Sequence, residues 1–550
     1  MNPTLVRQRA LALLPRRSDW ARRGWRADLQ AGVTVAVVAL PLALAFGVAS
    51  GMGARAGLVT AIIAGAVAAV FGGSNVQVSG PTGAMTVVLI PVVHRFGTQG
   101  VLLVGLLAGV LLVAMAAGGL GKFIKFLPAP VVEGFTAGIA AVIALQQVPA
   151  ALGITDAHGS TVWRSAADAI VHFAARPHWT AAGLAVGVAA VMLIGGRWRP
   201  AWPFSLIAVA AATTLAALTG ADVTTIGPLP AGLPTPSVSF IDPGAITALL
   251  PAAAAVATLA ALESLLSATV ADAMSVGQQH HPDRELFGQG LANLTVPLFG
   301  GMPATAAIAR TAVNVRSGAT TRLAALTHAV ALTAIVLAAA PLVGRIPLAA
   351  LAGVLLATAV RMVEASALLA MARTTRRDGL VLVATFVTTI ALDLVTAVAV
   401  GVGIAVILAL RAVARSARID QVPLEAGDHS VEEQRLIQEH IVAYRIDGPL
   451  FFAAAYRFLI ELTDVADVRV IILRMSRVTT IDATGAQVLR EAITRLQHRG
   501  ITVLISGISA PHEQVLAALG VADQLRHDGL VFDDTPSAIN HARTLLPDRR

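Results

Sequence analysis

The sequence predicts a polytopic α-helical membrane protein that carries a small soluble α/β domain at its C-terminal end. The chain is 56% hydrophobic and 13% charged, with a mean hydropathy of +0.75, whereas soluble globular proteins carry about 25% charged residues. Apolar runs long enough to cross a bilayer, roughly 20 residues, recur between Ala31 and Leu410. The composition changes after Arg411, where these runs end.

Residues 1–27 form an Arg-rich segment before the first span. The positive-inside rule places this segment in the cytoplasm. Its apolar side, which includes Leu14 and Trp20, would let it lie on the membrane surface. It lacks the short apolar core and cleavage site of a secretory signal. The arginines of the segment are Arg7, Arg9, Arg16, Arg17, Arg22, Arg23 and Arg26.

Two sets of seven apolar segments follow, and a Pro- and Gly-rich loop at 220–243 separates them. Arg411, Arg415 and Arg418 end the last segment, so both termini are expected on the cytoplasmic side of the cell membrane. The first set lies near 29–50, 57–73, 80–94, 100–118, 128–150, 178–195 and 203–219. The second lies near 245–271, 286–299, 304–316, 320–342, 347–365, 379–393 and 394–413.

Two short stretches repeat one pattern, in which a Gly/Pro break is followed by small residues and a short apolar run. They are Ser79–Met85 and Gly300–Ala307, about half a membrane domain apart. Paired, interrupted, short hydrophobic segments at corresponding positions indicate a transporter binding site. Helices that begin inside the membrane direct free N–H groups and positive dipole ends at one place. We therefore expect an anion site where the two breaks meet.

The C-terminal part is predicted to be a small α/β domain with a mixed sheet. Strands are predicted at 441–446, 468–473 and 501–505, with helices near 452–464, 484–498 and 511–519. This alternation favours a sheet covered by helices.

Several classes of function are excluded by composition. The chain has no cysteine, which excludes disulfides and thiolate metal sites. No metal-ligand cluster and no nucleophile–base pair is recognisable, so neither enzymatic activity nor a cofactor or metal is expected. The net charge of +8 is explained by the membrane-flanking arginines, and nucleic acid is not an expected partner.

Four sequence blocks resemble the SulP family of anion transporters, which is related to prestin and pendrin, over nearly the whole chain from Arg26 to Arg543. The C-terminal domain resembles a STAS domain, whose signature turn matches Thr480–Gly485. The four blocks are Asp28–Val33 with Ala39–Gly47, Ser79–Thr82, Leu127–Gly138, and Gly300–Thr305 with Ala309–Val315.

This resemblance implies two inverted repeats of seven spans, the UraA-like fold, divided into a core and a gate domain. Family members are commonly homodimers in the lipid bilayer. On this reading, 28–415 is the transporter domain with its repeats meeting near 220–243, 416–439 is a linker, and 440–550 is the STAS domain.

The resemblance also implies that the anion lies between the facing starts of the third and tenth spans. Small residues there would let an anion reach backbone N–H groups, and threonine hydroxyls would add donors. A phenylalanine ring edge carries partial positive charge, and an intramembrane arginine is a functional candidate. The expected binding residues are Phe46, Thr82, Gly83, Ala84, Thr305, Ala306, Ala307, Ala309 and Arg310.

Glu263 lies in the middle of an apolar span, with Ser267 four residues later on the same helix face. A carboxylate there must be protonated, paired with a cation such as Arg310, or hydrated by the transport cavity. A protonatable Glu263 would couple transport to protons, and its oxygens with that of Ser267 could also serve Na⁺. Relatives that use Na⁺ have a hydroxyl residue where this chain has Ile308, which disfavours Na⁺ as the coupling ion.

Three further residues are candidates for other roles. His94 and His328 fall in or near spans and are expected to be packing residues or satisfied polar contacts. Thr484 occupies the position at which other STAS proteins accept a phosphate, and its turn leads into a helix. The alternative is that Asp482 and Thr484 only cap that helix.

The sequence therefore predicts secondary active transport of a small oxyanion, sulfate first, by an elevator-like movement, with proton coupling or exchange. Bicarbonate, with Na⁺ coupling as a variant, and a C4-dicarboxylate are the alternative substrates. An alternative of another class is a membrane-embedded signalling or motor protein with the STAS domain as its output.

Overall fold

The chain divides into two units near Val402, which we describe separately from a computed structural model. The residues described are 13–15, 24–122, 128–154, 161–199, 202–229, 232, 234–275, 279–392, 394–416, 418–421, 436, 440–450, 468–518, 520 and 525–546. Most of the Arg-rich segment, including Arg7, Arg9, Arg16, Arg17, Arg22 and Arg23, lies outside these residues.

In its described residues, the first unit consists of helices and one pair of two-residue strands, β1 (Ser79–Gly80) and β2 (Thr305–Ala306). Its first half contains α1 Trp25–Ala49, α2 Ala54–Phe71, α3 Gly83–Ala117, α4 Ala129–Ala151, α5 Val162–Ala175, α6 Trp179–Trp198 and α7 Phe204–Thr219. Its second half contains α8 Ile246–Met274, α9 Pro282–Thr295, α10 Ile308–Arg316, α11 Arg322–Val343, α12 Leu348–Met362, α13 Ala365–Thr374 and α14 Arg376–Ala391. Helix α15 (Leu394–Ser416) begins in this unit, and its residues from Gly403 on belong to the second unit.

Each predicted apolar segment corresponds to helix in the structure. The segments predicted at 80–94 and 100–118 are joined in α3, which is interrupted at Gly97. Gly97 has φ of +68°, a conformation that glycine adopts at little cost, so the break separates a half-length helix from a full span. Eight helices of the described residues are long and apolar enough to cross a membrane.

Two helices, α5 and α13, were not predicted. Both are too short and too polar for a span, at 14 and 10 residues. In α5 the apolar residues recur on one side, and Trp163 and Ile170 expose about half of their surface. The helical spacing of these apolar residues is a signal that the sequence contains, although neither segment is long enough for a membrane span.

The helices of the first unit pack as two bundles. A core bundle comprises α1, α2, α3, α8, α9, α10 and α11, with the closest packing between α3 and α9 and between α1 and α11. A gate bundle comprises α4, α5, α6, α7, α12, α13 and α14, centred on α4 and α12. The bundles meet where α1 and α3 contact α4, α7 and α12. Each bundle draws helices from both halves of the chain, as an inverted repeat with core and gate requires.

The second unit contains a six-stranded sheet with helices α16 (Ala483–His498), α17 (Ala510–Ala518) and α18 (Thr535–Thr544). The strand order is β3-β4-β5-β7-β8, with β6 beside β4. All pairs are parallel except β3 with β4. The strands are β3 Arg418–Gln421, β4 Ile441–Leu450, β5 Val470–Arg474, β6 Val478–Ile481, β7 Thr502–Ser506 and β8 Val531–Phe532.

The sheet agrees with the three predicted strands and extends them. β5 is buried on both faces, which explains its uninterrupted apolar sequence. The segment 416–439, predicted as a linker, contains β3, whose pairing with β4 runs from Arg418 opposite Asp447 to Gln421 opposite Tyr444. The helix predicted at 452–464 lies outside the described residues.

Candidate functional site

The two Gly/Pro breaks meet inside the core bundle. They pair as the antiparallel strands β1 and β2, with Ser79 opposite Ala306 and Gly80 opposite Thr305. The backbone N–H of Ala307 extends the pairing by donating to the carbonyl of Val78 at 3.1 Å. Helix α3 begins three residues after β1, and α10 begins two residues after β2. Because the strands are antiparallel, the two helices begin on opposite sides of one strand pair and their starts face each other.

Buried polar side chains of the core hold the second break in place. The Asn293 amide accepts from Ala304 N at 2.8 Å and donates to Ala304 O at 2.9 Å. The Thr60 hydroxyl accepts from Met302 N at 2.8 Å, and its one proton is shared between Ala56 O at 2.7 Å and Met302 O at 3.0 Å. The sequence analysis missed these residues, although a polar residue inside an apolar span was a readable signal. They supply partners that backbone at membrane depth otherwise lacks.

We predict that Asn293→Ala destabilises the protein by about 3 kcal/mol, because it leaves both backbone groups of Ala304 buried and unpaired. The measurement is thermal unfolding in detergent. Thr219→Ala is the matched control, since it removes an exposed hydroxyl that bonds Leu215 O at 2.8 Å. Equal unfolding temperatures for the two variants would contradict the assignment.

The start of α3 is narrow and enclosed. Thr82 is its N-cap residue and accepts from Met85 N at 3.5 Å. A Cβ atom on Gly83 would lie 3.2 Å from the Phe46 ring and would collide with Ile143 of the gate helix α4. Glycine is therefore required for the gate to pack here, and Phe46 lies beside the helix start as expected. Ile143 was not among the predicted site residues.

Arg310 reaches from the first turn of α10 to the first break. Its side chain is almost fully buried, at 2% exposure, and Nη2 donates to Pro81 O at 2.5 Å. The guanidinium occupies the place of a side chain at Gly80, whose φ of +157° also favours glycine. Within the described part of the chain, Nη1 has no hydrogen-bond partner. Arg310 thus places a free donor and a positive charge beside both helix starts.

Glu263 bonds to Thr82 and not to Arg310. The Thr82 hydroxyl donates to Glu263 Oε2 at 2.9 Å. Glu263 and Arg310 interact electrostatically, but no ion pair joins them in the residues described. Of the three possibilities named for this carboxylate, direct pairing with Arg310 is therefore not the one that the structure shows. The partner is the hydroxyl at the N-cap of α3, which sequence reasoning did not propose.

Ser267, the second candidate for ion coupling, lies in a different environment from Glu263. It is fully buried and donates to Thr311 Oγ1 at 3.1 Å. Thr311 in turn accepts from Val78 N at 3.1 Å. The Ser267 hydroxyl thus helps to hold α8, α10 and the first break together. Among the residues searched, no group of three or more His, Asp or Glu could hold a metal ion.

Thr305 was expected to donate to the anion, yet its proton is already used. Its hydroxyl donates to Ala260 O at 3.1 Å and lies 2.9 Å from the Ser264 hydroxyl. Since a hydroxyl has one proton, Thr305 has no donor left in this arrangement. The Ser264 hydroxyl also accepts from Ala306 N at 3.3 Å.

The remaining candidates differ in exposure. Ala84 and Ala306 are buried, Ala307 is partly buried, and Ala309 is exposed. Ile308 is 43% exposed, so the start of α10 is exposed at Ile308 and Ala309.

In the second unit, Asp482 caps α16 by accepting from Gly485 N at 2.7 Å. Thr484 lies partly buried in that first turn.

Fold and site together define a polytopic membrane protein with two interrupted helices that begin at a shared, positively charged centre. This is the arrangement of secondary transporters with inverted repeats. The donors at the centre suit an anion.

Comparison with known proteins identifies the family. The model of the sulfate permease family matches residues 25–385, and that of the STAS domain matches residues 434–538. "Putative sulfate transporter YvdB" of Bacillus subtilis is 34% identical over 90% of this chain and 93% of the relative. The bicarbonate transporter BicA of a Synechocystis species is 32% identical over 94% of each chain.

Two solved transporter structures align with this chain. The transmembrane domain of a cyanobacterial bicarbonate transporter, BicA, aligns with a TM-score of 0.63 and 33% identity, covering 68% of this chain and 97% of that domain. SLC26A9 aligns with a TM-score of 0.81 at 16% identity, over 99% of this chain and 95% of that one, and shows the same fold. The chain belongs to the sulfate permease (SulP) family of anion transporters and carries a STAS domain. The family consists of transporters and not of enzymes.

Proposed function

We propose that the protein is a secondary active transporter of a small oxyanion, sulfate first, which binds between the starts of α3 and α10. The observation that carries the proposal is the pairing of β1 with β2, which brings both helix starts and Arg310 to one place. A cation in the first turn of a helix is normally unfavourable, because the positive dipole end is already there. An anion bound between the helix starts would offset this positive charge.

The binding groups we propose fall into three kinds. Gly83 and Ala84 at the start of α3 and Ala309 at the start of α10 would bring backbone N–H groups to the anion, and Phe46 would line the pocket with its ring edge. Ala306 and Ala307 would line the site as small residues only, because their N–H groups already donate to Ser264 Oγ and Val78 O. Arg310 would donate through Nη1. Thr82 would donate only when its proton is not held by Glu263, and we assign Thr305 to supporting the break.

Sulfate is the first choice because a dianion gains most from two helix starts and an arginine. Relatives that are about equally similar are named sulfate and bicarbonate transporters, and bicarbonate is therefore the second candidate. A C4-dicarboxylate is the third.

We infer that protons drive the transport through the bond between Thr82 and Glu263. With Glu263 ionised, its carboxylate accepts the Thr82 proton. With Glu263 protonated, the acid donates to the Thr82 oxygen, and the hydroxyl proton becomes available to the anion. Anion and proton would then bind together and each would raise the affinity for the other. Na⁺ is less favoured because Ile308 has no side-chain oxygen.

Movement of the core bundle against the gate bundle would carry the site across the membrane. The packing supports this, since the closest helix pairs lie within a bundle. Ile143 of the gate covers Gly83 and would separate from it as the core moves.

We further propose that the protein is a homodimer in the cell membrane with both termini in the cytoplasm. We also propose Thr484 as a candidate phosphate acceptor of the STAS domain.

The test is uptake of radiolabelled sulfate, bicarbonate and fumarate into proteoliposomes, with a pH gradient and then a Na⁺ gradient imposed. We expect sulfate uptake that an inwardly directed proton gradient accelerates. Uptake driven by Na⁺, or of bicarbonate alone, would overturn the coupling or the substrate. Binding of an anion without flux of any of the three would instead favour a signalling or motor role.

A further inference from the structure

His328 lies in α11 behind the first break and is fully buried. Within the described residues, neither ring nitrogen has a hydrogen-bond partner. Of the two roles expected for His328, its burial agrees with packing, and no described protein group satisfies its ring nitrogens. A neutral imidazole has one donor and one acceptor nitrogen, and buried polar groups that lack protein partners are commonly bonded to buried water.

The surroundings of His328 connect it to the anion site. A Cβ atom on Gly65 of α2 would lie 3.5 Å from His328 Nδ1 and 3.5 Å from Ser79 O. One turn earlier on α2, Ala61 lies against Gly80, where the Arg310 guanidinium also packs. His328 and Arg310 therefore lie beside consecutive residues of β1 and along one face of α2.

Two polar groups face the space left by the missing side chain of Gly65, and a third lies beside Gly80, the next residue of β1. The Ser79 carbonyl and one nitrogen of His328 are acceptors, and Arg310 Nη1 is a buried donor without a protein partner in the residues described. A water molecule needs two to four polar partners to be held in a protein interior, and these three groups would be enough if one water molecule reaches from Gly65 to the guanidinium beside Gly80.

We propose that a buried water molecule binds beside Gly65 and bridges Arg310 Nη1 to His328 and Ser79 O, so that His328 is a positioning residue for the guanidinium. The water accepts from Arg310 and donates to the ring nitrogen and the carbonyl. Held at both ends, by Pro81 O and by the water, the guanidinium keeps one orientation toward the helix starts. This inference rests on the proposed anion site, and it adds a residue that does not touch the anion.

The experiment measures sulfate and bicarbonate affinity of purified full-length variants by calorimetry. We expect His328→Leu to lower the affinity for the anion about tenfold, whichever of the two anions the wild type binds. His328→Gln should keep the wild-type affinity, because an amide can still bond the water. In an Arg310→Lys background, His328→Leu should have no further effect. Equal losses with Leu and Gln, or the same loss in the Arg310→Lys background, would overturn the positioning role.

A second variant tests the water if His328→Leu does not fold. Gly65→Ala places a methyl group in the space at ordinary contact distance, and we expect it to weaken binding like His328→Leu. Gly187→Ala in α6 is the control, because its Cβ atom would meet nothing within 4 Å. Unchanged affinity in Gly65→Ala would count against the water.

The proposed function and the water can fail separately. A wild type that binds neither anion contradicts the anion site. A high-resolution experimental map then still decides the water, which we expect beside Gly65 in the wild type and absent in Gly65→Ala. A map without it in the wild type would refute the proposal.

Discussion

Replacing Arg310 by glutamine is expected to lower the affinity for the transported anion about 100-fold, with little loss of protein stability. The reason is that Nη1 is a buried donor without a protein partner in the described structure, so the anion would lose a charge-assisted bond. Within the protein the variant gives up only the bond from Nη2 to Pro81 O. Such a bond contributes about 3 kcal/mol, which corresponds to about 100-fold in affinity. Removing an incompletely paired buried charge also relieves a desolvation cost.

The matched control is Arg322, a second buried arginine of the core bundle. It is 1% exposed, and its Nη1 donates to Ala69 O and Val70 O at 3.1 Å each. Its Nε donates to Asn75 Oδ1 at 3.1 Å. These bonds join α11 to the end of α2, so Arg322→Gln should lower the unfolding temperature and leave anion affinity close to the wild type.

Calorimetry with sulfate and thermal unfolding in detergent separate the two arginines. We expect Arg310→Gln to change the first measurement and Arg322→Gln the second. If Arg310→Gln bound sulfate normally while proteoliposome uptake of the wild type was intact, the anion would have to bind elsewhere. If both variants lost only stability, Arg310 would be a structural brace.

The positions of the helix starts could be predicted because their signals are local. Glycine, proline and small residues mark the end of one regular segment and the start of the next within a few residues. The same pattern occurs in both halves of the chain, which predicted that the two breaks meet before any contact was known. The strand pairing of Ser79 with Ala306 confirms that expectation.

The partners of individual polar groups could not be predicted in this way. Thr82 and Glu263 are 181 residues apart, and their bond depends on how α8 is rotated against the start of α3. A single turn of difference would have brought another residue to the hydroxyl. The same limit applies to Thr305, whose expected proton for the anion is given to Ala260 O instead. Periodicity fixes which face of a helix is buried, but it does not fix which atoms meet there.

Replacing Glu263 by glutamine is expected to leave anion transport active but to remove its dependence on the proton gradient. The glutamine amide is close in shape to a protonated carboxyl group and can donate to the Thr82 oxygen through its NH₂ group. The Thr82 proton would then be permanently available to the anion. Anion affinity should therefore equal that of the wild type at low pH, and it should no longer fall as the pH rises.

Two further variants show whether the effect passes through the hydroxyl. Thr82→Val removes the hydroxyl that is proposed to switch. At low pH the variant should therefore bind the anion more weakly than the wild type does, with about the affinity that the wild type has at high pH. Glu364→Gln changes an exposed carboxylate of the gate bundle and should alter neither affinity nor coupling. The measurements are sulfate affinity across a pH series and uptake with and without an imposed pH gradient.

These results show whether Glu263 couples transport to protons or only stabilises the start of α3. If Glu263 only supported the helix start, Glu263→Gln would lower the unfolding temperature and uptake would keep its response to the proton gradient. If it carries the proton, the response disappears while exchange of external for internal sulfate continues, because exchange needs no net proton movement. Retained proton-driven accumulation in Glu263→Gln would contradict the mechanism even with a normal affinity, since no other carboxylate bonds Thr82 in the residues described. Thr82 is the N-cap residue of α3, and its hydrogen bond to Glu263 would therefore couple the start of this helix to the uptake of the proton.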